Sequence, residues 1–465
     1  MRVDYPPFTY PDEIKPLVLE TEDLNFSDGT TVTAEQIWHF MTVTGPKRFP
    51  FAFSTNPAFG HQLSGDVSLI SGIRRNYLGM TGIDRLRKFV RNKTPLILVQ
   101  GGITSDLYQA AGCISVGPMF LRGWIMNTQE GRAYKNANLT GASLLEEARQ
   151  NLSFECCNLI ANVGLLKTRD LPISAIAPCL CSRCSDMAYA VEAYRSESSS
   201  IPTILIDYPS NFEEGEWRVE YIKEELHSLV HQLEKVTGKE VTDDDIRKEI
   251  KIQNKARSLV RECEQVWWSG KVPPTNSVDG GFAHLGMMGA FDFPVANQVL
   301  KETRDELQTR VNNGVKGFGL VDDPARLFVC GSCVMPNANF VDRKGGVLVG
   351  SDDVWSSICM NVKETGDPYE NLAVSYASLP YERSTEERAK WTVEQVKASR
   401  ADGVVFMFNW GCNYQSAIAG MITDYIKEET GLPAISIEVG ELTRMESLEQ
   451  SHNRVESFIE MIKSS

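Results

Sequence analysis

Short apolar runs that end in a turn and lead into a helix recur along this chain from residue 95 onwards. The run Leu96-Ile-Leu-Val99 suits a buried strand, and Leu144, Ala148 and Leu152 place one apolar face on a following helix. Strands and helices that alternate in this way predict a parallel sheet with helices on both faces. The predicted strands of this first unit are 96–99, 113–117, 173–177 and 203–207, and its predicted helices are 107–112, 144–152 and 185–196.

A second α/β unit begins near Asp323 and follows the same plan. Gly431 followed by Pro433 predicts the end of one of its helices, because glycine is favoured just after a helix and proline cannot continue one. The predicted strands are 326–329, 346–350, 404–408 and 434–438, and the predicted helices are 386–398, 416–430 and 451–463.

The segment between these two units is predicted to be mainly helical from residue 216 to about residue 310. Its apolar residues recur at three- and four-residue spacing, and Thr242 before three aspartates is a favourable helix start. Residues 1–94 look irregular, apart from a short amphipathic helix at 83–90. We therefore divide the chain into an N-terminal extension (1–94), a first α/β domain (95–215), a helical segment (216–322) and a second α/β domain (323–465).

Composition and charge narrow the possible functions. The chain has 465 residues, of which 42% are apolar, and a net charge of −14, which argues against a general nucleic-acid binder and against binding to anionic membranes. No apolar run reaches the length of a transmembrane helix, and the N-terminus lacks the apolar core of a signal peptide. We therefore expect a cytoplasmic protein.

Eleven cysteines in such a chain predict free thiols or metal ligands rather than disulfides. The most informative is Cys412, which follows the apolar strand Val404 to Phe408 and precedes a helix. A second group, Cys179-Leu-Cys181-Ser-Arg-Cys184, lies between a strand and a helix in the same way. Ligands bind at the carboxyl ends of strands in open α/β sheets, so the two groups predict a metal or a cluster in a cleft between two facing domains.

The spacing of the cysteines leaves three alternatives open. An iron–sulfur cluster needs cysteinate ligands and can leave one iron open for another ligand. A structural zinc site needs four ligands, and Cys330-Gly-Ser-Cys333 is the candidate second pair. The third alternative is a set of buried free thiols. The six histidines are scattered without an HExxH motif, which argues against a histidine-rich zinc hydrolase.

From Leu96 to its C-terminus the chain resembles the 2-hydroxyacyl-CoA dehydratase and benzoyl-CoA reductase family, specifically the larger iron–sulfur subunits. The resemblance rests on several segments in order. These segments are Thr104-Ser-Asp-Leu-Tyr-Gln-Ala-Ala-Gly-Cys113, Glu155-Cys-Cys157-Asn-Leu, Ala177-Pro-Cys-Leu-Cys-Ser-Arg-Cys184-Ser-Asp, Ile204-Leu-Ile-Asp-Tyr-Pro209, Gly411-Cys412-Asn, Thr430-Gly-Leu-Pro-Ala-Ile-Ser-Ile-Glu438 and Asn453-Arg-Val-Glu-Ser-Phe-Ile-Glu-Met461.

This resemblance implies a [4Fe–4S] cluster held by Cys157, Cys184 and Cys412, with one iron free to bind substrate, water or sulfide. Cys156, Cys181 and Cys333 are alternative ligands. A branch of the family holds a double-cubane cluster with six cysteines. Two of the extra positions lack cysteine here, since 347–350 leads into Ser351-Asp352-Asp353 and no cysteine falls between Asn158 and Pro178. We therefore expect a single cubane.

The resemblance also implies the reaction and its partners. One electron enters the thioester of an acyl-CoA substrate to form a ketyl radical, from which a 2-hydroxyacyl-CoA loses water or an aromatic acyl-CoA is reduced. Family members receive this electron from a separate ATP-hydrolysing iron–sulfur activator and pair with a homologous second iron–sulfur subunit or with themselves. The chain has no GxxxxGK[ST] phosphate loop, which fits an acceptor of the electron better than an ATPase.

Other polar residues are candidates for contact with the substrate. Gln100, Thr104 and Ser105 lie on the first strand-end turn, although Ser105 also suits a helix cap. Asn409, Asn413 and Gln415 flank Cys412 and are expected either to hydrogen-bond a cluster or to cap the following helix. Asp352 and Asp353 are expected to be either cleft residues or a solvated turn. His284 suits a general base or a plain loop residue. Buried thiols are expected at Cys113, Cys263 and Cys359.

The sequence therefore predicts two flavodoxin/Rossmann-like α/β domains with parallel sheets, a helical middle segment and an N-terminal extension. The favoured function is the [4Fe–4S] subunit of an ATP-activated radical 2-hydroxyacyl-CoA dehydratase. A subunit of benzoyl-CoA reductase type is the first alternative. A non-catalytic electron-relay subunit or a zinc-stabilised α/β protein is the other.

Overall fold

The structure is a computed structural model of the chain. The residues that it describes are 8–49, 52–53, 65–100, 105–126, 141–152, 157–178, 184–195, 200–207, 209, 215–281, 291–331, 334–352, 360–380, 383–409, 411–439 and 445–464.

The N-terminal segment is helical, so the expectation of an irregular extension was wrong. A capping box formed by Thr33 and Gln36 starts one of its short helices, and the amphipathic stretch predicted at 83–90 is the end of a 22-residue helix. The elements are α1 (Ile14–Leu19), β1 (Leu24–Asn25), β2 (Thr31–Val32), α2 (Ala34–His39), α3 (Gly45–Arg48) and α4 (Ile70–Arg91).

The first parallel sheet has the strand order β4-β3-β5 in the described residues. Its helices bury an apolar cluster on each face of the sheet, with Leu96 and Leu98 on one side and Ile97 on the other. The elements are β3 (Leu96–Gln100), α5 (Asp106–Ala110), β4 (Ile114–Val116), α6 (Pro118–Trp124), α7 (Gly141–Gln150), α8 (Asn158–Ala161), β5 (Ala175–Pro178) and α9 (Ser185–Arg195).

The segment predicted as a strand at 203–207 contains bridge residues at Thr203 and Ile206 instead of a continuous strand, and Thr203 pairs with Ile176 of β5. Ile176 N–H donates to the carbonyl of Pro202, and Ile204 N–H donates back to the carbonyl of Ile176. The next donor on β5 in a parallel ladder is residue 178, which is a proline without an N–H. Pro178 therefore cannot donate the next hydrogen bond of this ladder.

Three long helices follow and join the two sheets. The capping box predicted from Thr242 is present, with Asp245 as its partner. Cys263 is fully buried among apolar residues, as predicted. The helices are α10 (Glu216–Thr237), α11 (Asp243–Ser269) and α12 (Phe293–Asn313).

The second parallel sheet has the strand order β7-β6-β8-β9 among the described residues. Its predicted strands and helices are present, and Gly431 ends α16 in a left-handed conformation. The elements are β6 (Ala325–Gly331), α13 (Ala338–Arg343), β7 (Gly346–Ser351), α14 (Pro368–Ser378), α15 (Thr385–Ala398), β8 (Gly403–Asn409), α16 (Asn413–Thr430), β9 (Ala434–Val439) and α17 (Met445–Ser464).

The two sheets are tied together by helices that cross between them. Tyr369, Leu372 and Tyr376 of α14 belong to the apolar cluster that covers the first sheet, although α14 lies within the second unit in sequence. The α/β class with parallel sheets is confirmed, and the division at residues 94, 215 and 322 stays a prediction. No helix in the described ranges combines the length and the apolar character that a membrane crossing requires.

Candidate functional site

Each cysteine of the expected ligand set lies directly before a helix. Cys157 is the N-cap residue of α8, Cys184 immediately precedes α9, and Cys412 is the N-cap residue of α16, just after β8. All are half-buried free thiols. Helix N-termini carry unpaired N–H groups and the positive end of the helix dipole, which favour a thiolate. The local structure at each position therefore suits a cysteinate ligand.

Asp186 connects the cysteines of the first sheet to Cys412 of the second. Its carboxylate accepts a 2.8 Å hydrogen bond from the backbone N–H of Cys157, and it follows Cys184 by two residues on α9. Burial raises the pKa of the Cys412 thiol, and the charge of the Asp186 carboxylate raises it further. Cys157 and Cys184 also pack against one apolar cluster. The Asp186 carboxylate thus bonds the backbone at Cys157, and its charge acts on the thiol of Cys412.

Other groups around Cys412 lower the pKa of its thiol. The effect of burial on the pKa of this thiol is partly offset by the backbone N–H groups of Gln415 and Tyr414 and by the charge of the Arg388 guanidinium. The loop at Cys412 is held by its own N–H, which donates to the carbonyl of Asn409 over 3.0 Å. These groups stabilise negative charge on the sulfur, but burial outweighs them and the pKa of the Cys412 thiol stays above its ordinary value.

Asp352 lies in a buried ion pair, so the solvated turn that was one of its two expected roles is wrong. Its side chain is 1% exposed as a residue and bonds the guanidinium of Arg388 at 3.0 and 3.1 Å. Thr392 and the N–H of Gly331 also donate to it. A further nitrogen of Arg388 donates to Gln415, the residue whose N–H reaches the sulfur of Cys412.

The candidate substrate residues lie at strand ends, as the sequence predicts. Gln100 ends β3 and pairs in register with Pro178, the last residue of β5; its side chain lies outside the described part. Ser105 precedes α5, but its hydroxyl makes no cap and instead donates to Gln253 at 3.0 Å. Asn409 ends β8 and is buried.

The other described cysteines are buried. Burial raises the pKa of Cys113 and Cys263 to about 12, and it also raises the pKa of Cys330 well above the ordinary value of a thiol. This agrees with the prediction that Cys113 and Cys263 are buried thiols. The remaining candidates from the sequence, Cys156, Cys181, Cys333, Cys359, Thr104, Asp353 and His284, lie outside the described residues.

In the described residues, no group of three or more His, Cys, Asp or Glu side chains is arranged to hold a metal ion. A cluster binds each cysteine through a different iron, so its ligands are more widely spaced than those of a single ion. The donor set, three half-buried thiols at helix N-termini, has the chemistry that a cysteine-ligated cluster requires.

Sequence reasoning missed two residues of this site. Asp186 was predicted only as a helix start, and Arg388 was part of a predicted helix without a role. Asp186 had a usable signal, since it follows Cys184 by two residues. Arg388 had none, because its link to Cys412 depends on how α15 and α16 pack side by side.

Comparison with known proteins indicates the same family as the motifs. The family described as 2-hydroxyglutaryl-CoA dehydratase, D-component, matches residues 104–462. The chain is 27% identical to a benzoyl-CoA reductase subunit of Thauera aromatica over 254 residues, which is 50% of this chain and 61% of the relative. It thus spans less than two thirds of that relative.

Two dehydratase subunits are similar over comparable stretches. The alpha subunit of (R)-phenyllactyl-CoA dehydratase of Clostridium sporogenes is 25% identical over 304 residues, covering 63% of this chain and 70% of the relative. The alpha subunit of (R)-2-hydroxyglutaryl-CoA dehydratase of Acidaminococcus fermentans is 23% identical over 271 residues, covering 57% of this chain and 55% of the relative.

Proposed function

The chain belongs to the family of the 2-hydroxyglutaryl-CoA dehydratase D-component, and from this premise we propose that it is the [4Fe–4S] subunit of a 2-hydroxyacyl-CoA dehydratase. The observation that supports the proposal is that Cys157, Cys184 and Cys412 each lie half-buried directly before a helix, with Asp186 bonded to the backbone of Cys157 and its charge acting on Cys412. Cys184 follows β5 of the first sheet and Cys412 follows β8 of the second, and ligands of open α/β folds bind at the carboxyl ends of such strands.

In this proposal the three thiolates hold the cluster, and each helix N-terminus offsets part of their negative charge. When bound, the cluster supplies an iron with an open coordination position, which polarises the thioester carbonyl or the hydroxyl of the substrate. Asp186 fixes the backbone at Cys157 by accepting its N–H. Arg388, held by Asp352, provides a fixed positive charge beside Cys412. Gln100, Ser105 and Asn409 are the residues we assign to the substrate side of the site.

The reaction we propose is removal of water from a 2-hydroxyacyl-CoA by way of a ketyl radical. One electron from an ATP-hydrolysing iron–sulfur activator enters the thioester, hydroxide and a β-proton leave, and the electron is released at the end, so that no net oxidation occurs. This order makes the β-proton acidic enough to be removed. The chain's own part is to bind and orient the acyl-CoA beside the three cysteines.

A homologous second subunit is the proposed partner. Relatives of this chain include both the alpha and the beta subunit of (R)-phenyllactyl-CoA dehydratase of Clostridium sporogenes. A chain that resembles both members of a pair suits a place in such a pair, or in a homodimer. We propose an acyl-CoA, this second subunit and the activator as the three partners.

Reduction of an aromatic acyl-CoA is the second candidate function. It is favoured by the 27% identity to the benzoyl-CoA reductase subunit of Thauera aromatica. The two candidates share the acyl-CoA, the cluster and the activator, and differ in whether the electrons stay in the product. Product analysis therefore separates them.

The test is to purify the protein anaerobically and measure iron, zinc and acid-labile sulfide, with an EPR spectrum after reduction. We expect about four irons and four sulfides per chain, followed by ATP-dependent turnover of a 2-hydroxyacyl-CoA when activator and partner are added. About eight irons would indicate a double cubane instead. Zinc without sulfide would end the radical-enzyme proposal, and cluster without turnover of either substrate class would leave an electron relay.

A further inference from the structure

Arg388 carries a positive charge into the interior of the protein, beside the helix that begins at Cys412. Its side chain and that of its partner Asp352 are both fully buried. A buried ion pair is weak evidence for stability, because well-packed apolar residues of similar volume often serve a fold equally well or better. The position of this charge therefore calls for a reason besides folding.

The guanidinium of Arg388 lies between Asp352 and the first turn of α16. Asp352 occupies one edge of the guanidinium, since its oxygens accept from Nε at 3.1 Å and from Nη2 at 3.0 Å. Nη1 lies outside that edge and donates to Oε1 of Gln415 over 3.4 Å. The positive end of the ion pair therefore faces α16, and the carboxylate lies on the other side of the guanidinium.

Bonds to other residues hold the ion pair in this orientation. The backbone N–H of Gly331 donates to Asp352 over 2.9 Å, and the hydroxyl of Thr392 donates to it over 3.0 Å. Nη2 of Arg388 also donates to the carbonyl of Gly331 at the end of β6, over 3.3 Å. The pair is thus a fixed dipole that needs no reorganisation when a charge nearby changes.

Gln415 connects the positive end of this dipole to the turn that carries Cys412. Cys412 is the N-cap residue of α16 and Gln415 follows it by three positions, a spacing at which Cβ atoms lie about 5–6 Å apart. The Gln415 side chain is fully buried, and charges among buried groups are screened much less than charges at the surface.

The charge of Arg388 acts on the sulfur of Cys412 in the sense that this geometry requires. Burial raises the pKa of the Cys412 thiol, and the charge of Arg388 opposes that rise. A positive charge that stabilises a thiolate also stabilises added negative charge on a cluster which that thiolate holds. The net charge around an iron–sulfur cluster is one of the factors that set its reduction potential.

We propose that Arg388 raises the reduction potential of a cluster bound at Cys412 and so makes that cluster a better acceptor of an electron. On reduction the cluster takes up one electron from the activator, or from a chemical reductant, and its charge becomes more negative by one. A fixed positive charge attracts the reduced form more strongly than the oxidised form. The inference rests on the proposed function, because it needs the cluster that this function requires.

The test is a redox titration of the full chain with its cluster, purified anaerobically and monitored by EPR. Arg388→Met removes the charge, and we expect the equilibrium constant for reduction to fall about tenfold or more, which is about 59 mV for a one-electron couple. Arg388→Lys keeps the charge and should stay close to the midpoint potential of the parent. The control Arg304→Met removes a half-exposed arginine of α12 that pairs with Glu262 and Asp305, and it should leave the midpoint potential unchanged.

The outcomes separate this inference from the proposed function. Equal midpoint potentials in the parent and Arg388→Met, or an equal fall in Arg388→Lys and Arg388→Met, would overturn the inference and leave the proposed function standing, because the cluster would still be present. A parent protein without a cluster would contradict the proposed function and the inference together.

A second variant covers the case in which Arg388→Met does not fold, as judged by circular dichroism, or does not hold a cluster. Asp352→Asn combined with Arg388→Met leaves no unpaired buried charge. Because the positive end of the pair faces α16, we expect this double variant also to lower the midpoint potential, by less than the loss of Arg388 alone. A midpoint potential equal to or above that of the parent would overturn the inference.

Discussion

Asp352 and Arg388 form an ion pair in which both side chains are fully buried. Asp352 lies just past the end of β7 and Arg388 in the first turns of α15, and the pair also binds the backbone of Gly331 at the end of β6. Because Arg388 also reaches Gln415 on α16, this pair joins the strand ends to the helix that carries Cys412. It is both a structural link and part of the candidate site.

Removal of one member of this pair should strongly destabilise the protein. Asp352→Ala leaves the Arg388 guanidinium buried without its carboxylate, and such an uncompensated charge costs about 3–5 kcal/mol. The free energy of unfolding from urea titration provides the measurement. Lys390→Ala on the same helix removes an exposed ion pair with Glu386, and we expect it to leave stability nearly unchanged. Similar losses in the two variants would refute the structural role of the buried pair.

Cys412→Ala should lose the cluster, whereas Cys263→Ala should keep it. Cys412 is half-buried at a helix N-terminus beside Asp186 and Arg388, while Cys263 is enclosed in an apolar cluster and its thiol lies 3.6 Å from the carbonyl oxygen of Leu300. Iron and sulfide content after anaerobic purification gives the comparison. Equal iron content in the two variants would remove Cys412 from the proposed ligand set.

Asp186 should affect how firmly the cluster is held rather than whether it forms. Asp186→Ala removes the acceptor for the N–H of Cys157, and Asp186→Asn retains an oxygen that can accept it. We expect the alanine variant to lose iron to a chelator several times faster than the parent, and the asparagine variant to stay close to the parent. The rate of iron loss is followed by absorbance. Equal rates in the alanine and asparagine variants would contradict this positioning role.

Much of the fold follows from apolar runs, and the exceptions have physical causes. The strands of the second sheet are almost continuous apolar runs because both faces are covered. The first part of helix α4 was not predicted because its packing face holds Ser71, Gly72 and Arg74, so that apolar periodicity is weak there. Arg74 is tolerated there since Glu302 of α12 bonds it at 2.6 and 3.0 Å. Such a partner, more than 200 residues away in sequence, leaves no local pattern.

The candidate site was likewise predictable only in part from the sequence. The position of Cys412, directly after an apolar strand, is visible in the sequence, and so is the order of the family-like segments around Cys157 and Cys184. The roles of Asp186 and Arg388 depend on contacts between elements that are distant in sequence. The missing hydrogen bond at Pro178 was visible in principle, since a proline cannot donate to the neighbouring segment.

Gly331 should not tolerate a side chain. Its backbone φ is 114°, and a Cβ atom there would lie 1.9 Å from the carbonyl oxygen of Met407 on β8. We expect Gly331→Ala to lower the free energy of unfolding by about 2 kcal/mol or more. Gly420 of α16 offers a matched control, because nothing lies within 4 Å of its added Cβ. Gly420→Ala should raise stability by about 0.5–1 kcal/mol, and two changes of the same sign would contradict this prediction.

Asp342 should make the stability of the protein fall as the pH rises. Burial raises the pKa of Asp342 to about 7, against the hydrogen bonds from Ser277 that lower it. Below about pH 4 both the folded and unfolded states bind the proton, and between about pH 4 and 7 the unfolded state releases it first, so the folded state loses stability as pH rises through this window. Three pKa units correspond to about 4 kcal/mol.

Asp342→Asn removes this titration and keeps an oxygen for the N–H and hydroxyl of Ser277. We expect the free energy of unfolding of the variant to equal that of the parent, or to fall slightly below it, near pH 4.5. At pH 8 the free energy of unfolding of the variant should exceed that of the parent, and most of this difference should develop below pH 7. Urea unfolding at several pH values gives both curves, and Asp424→Asn on the surface of α16 controls for the substitution itself. A difference between parent and Asp342→Asn that stays constant from pH 4.5 to 8 would show that Asp342 does not titrate in this window.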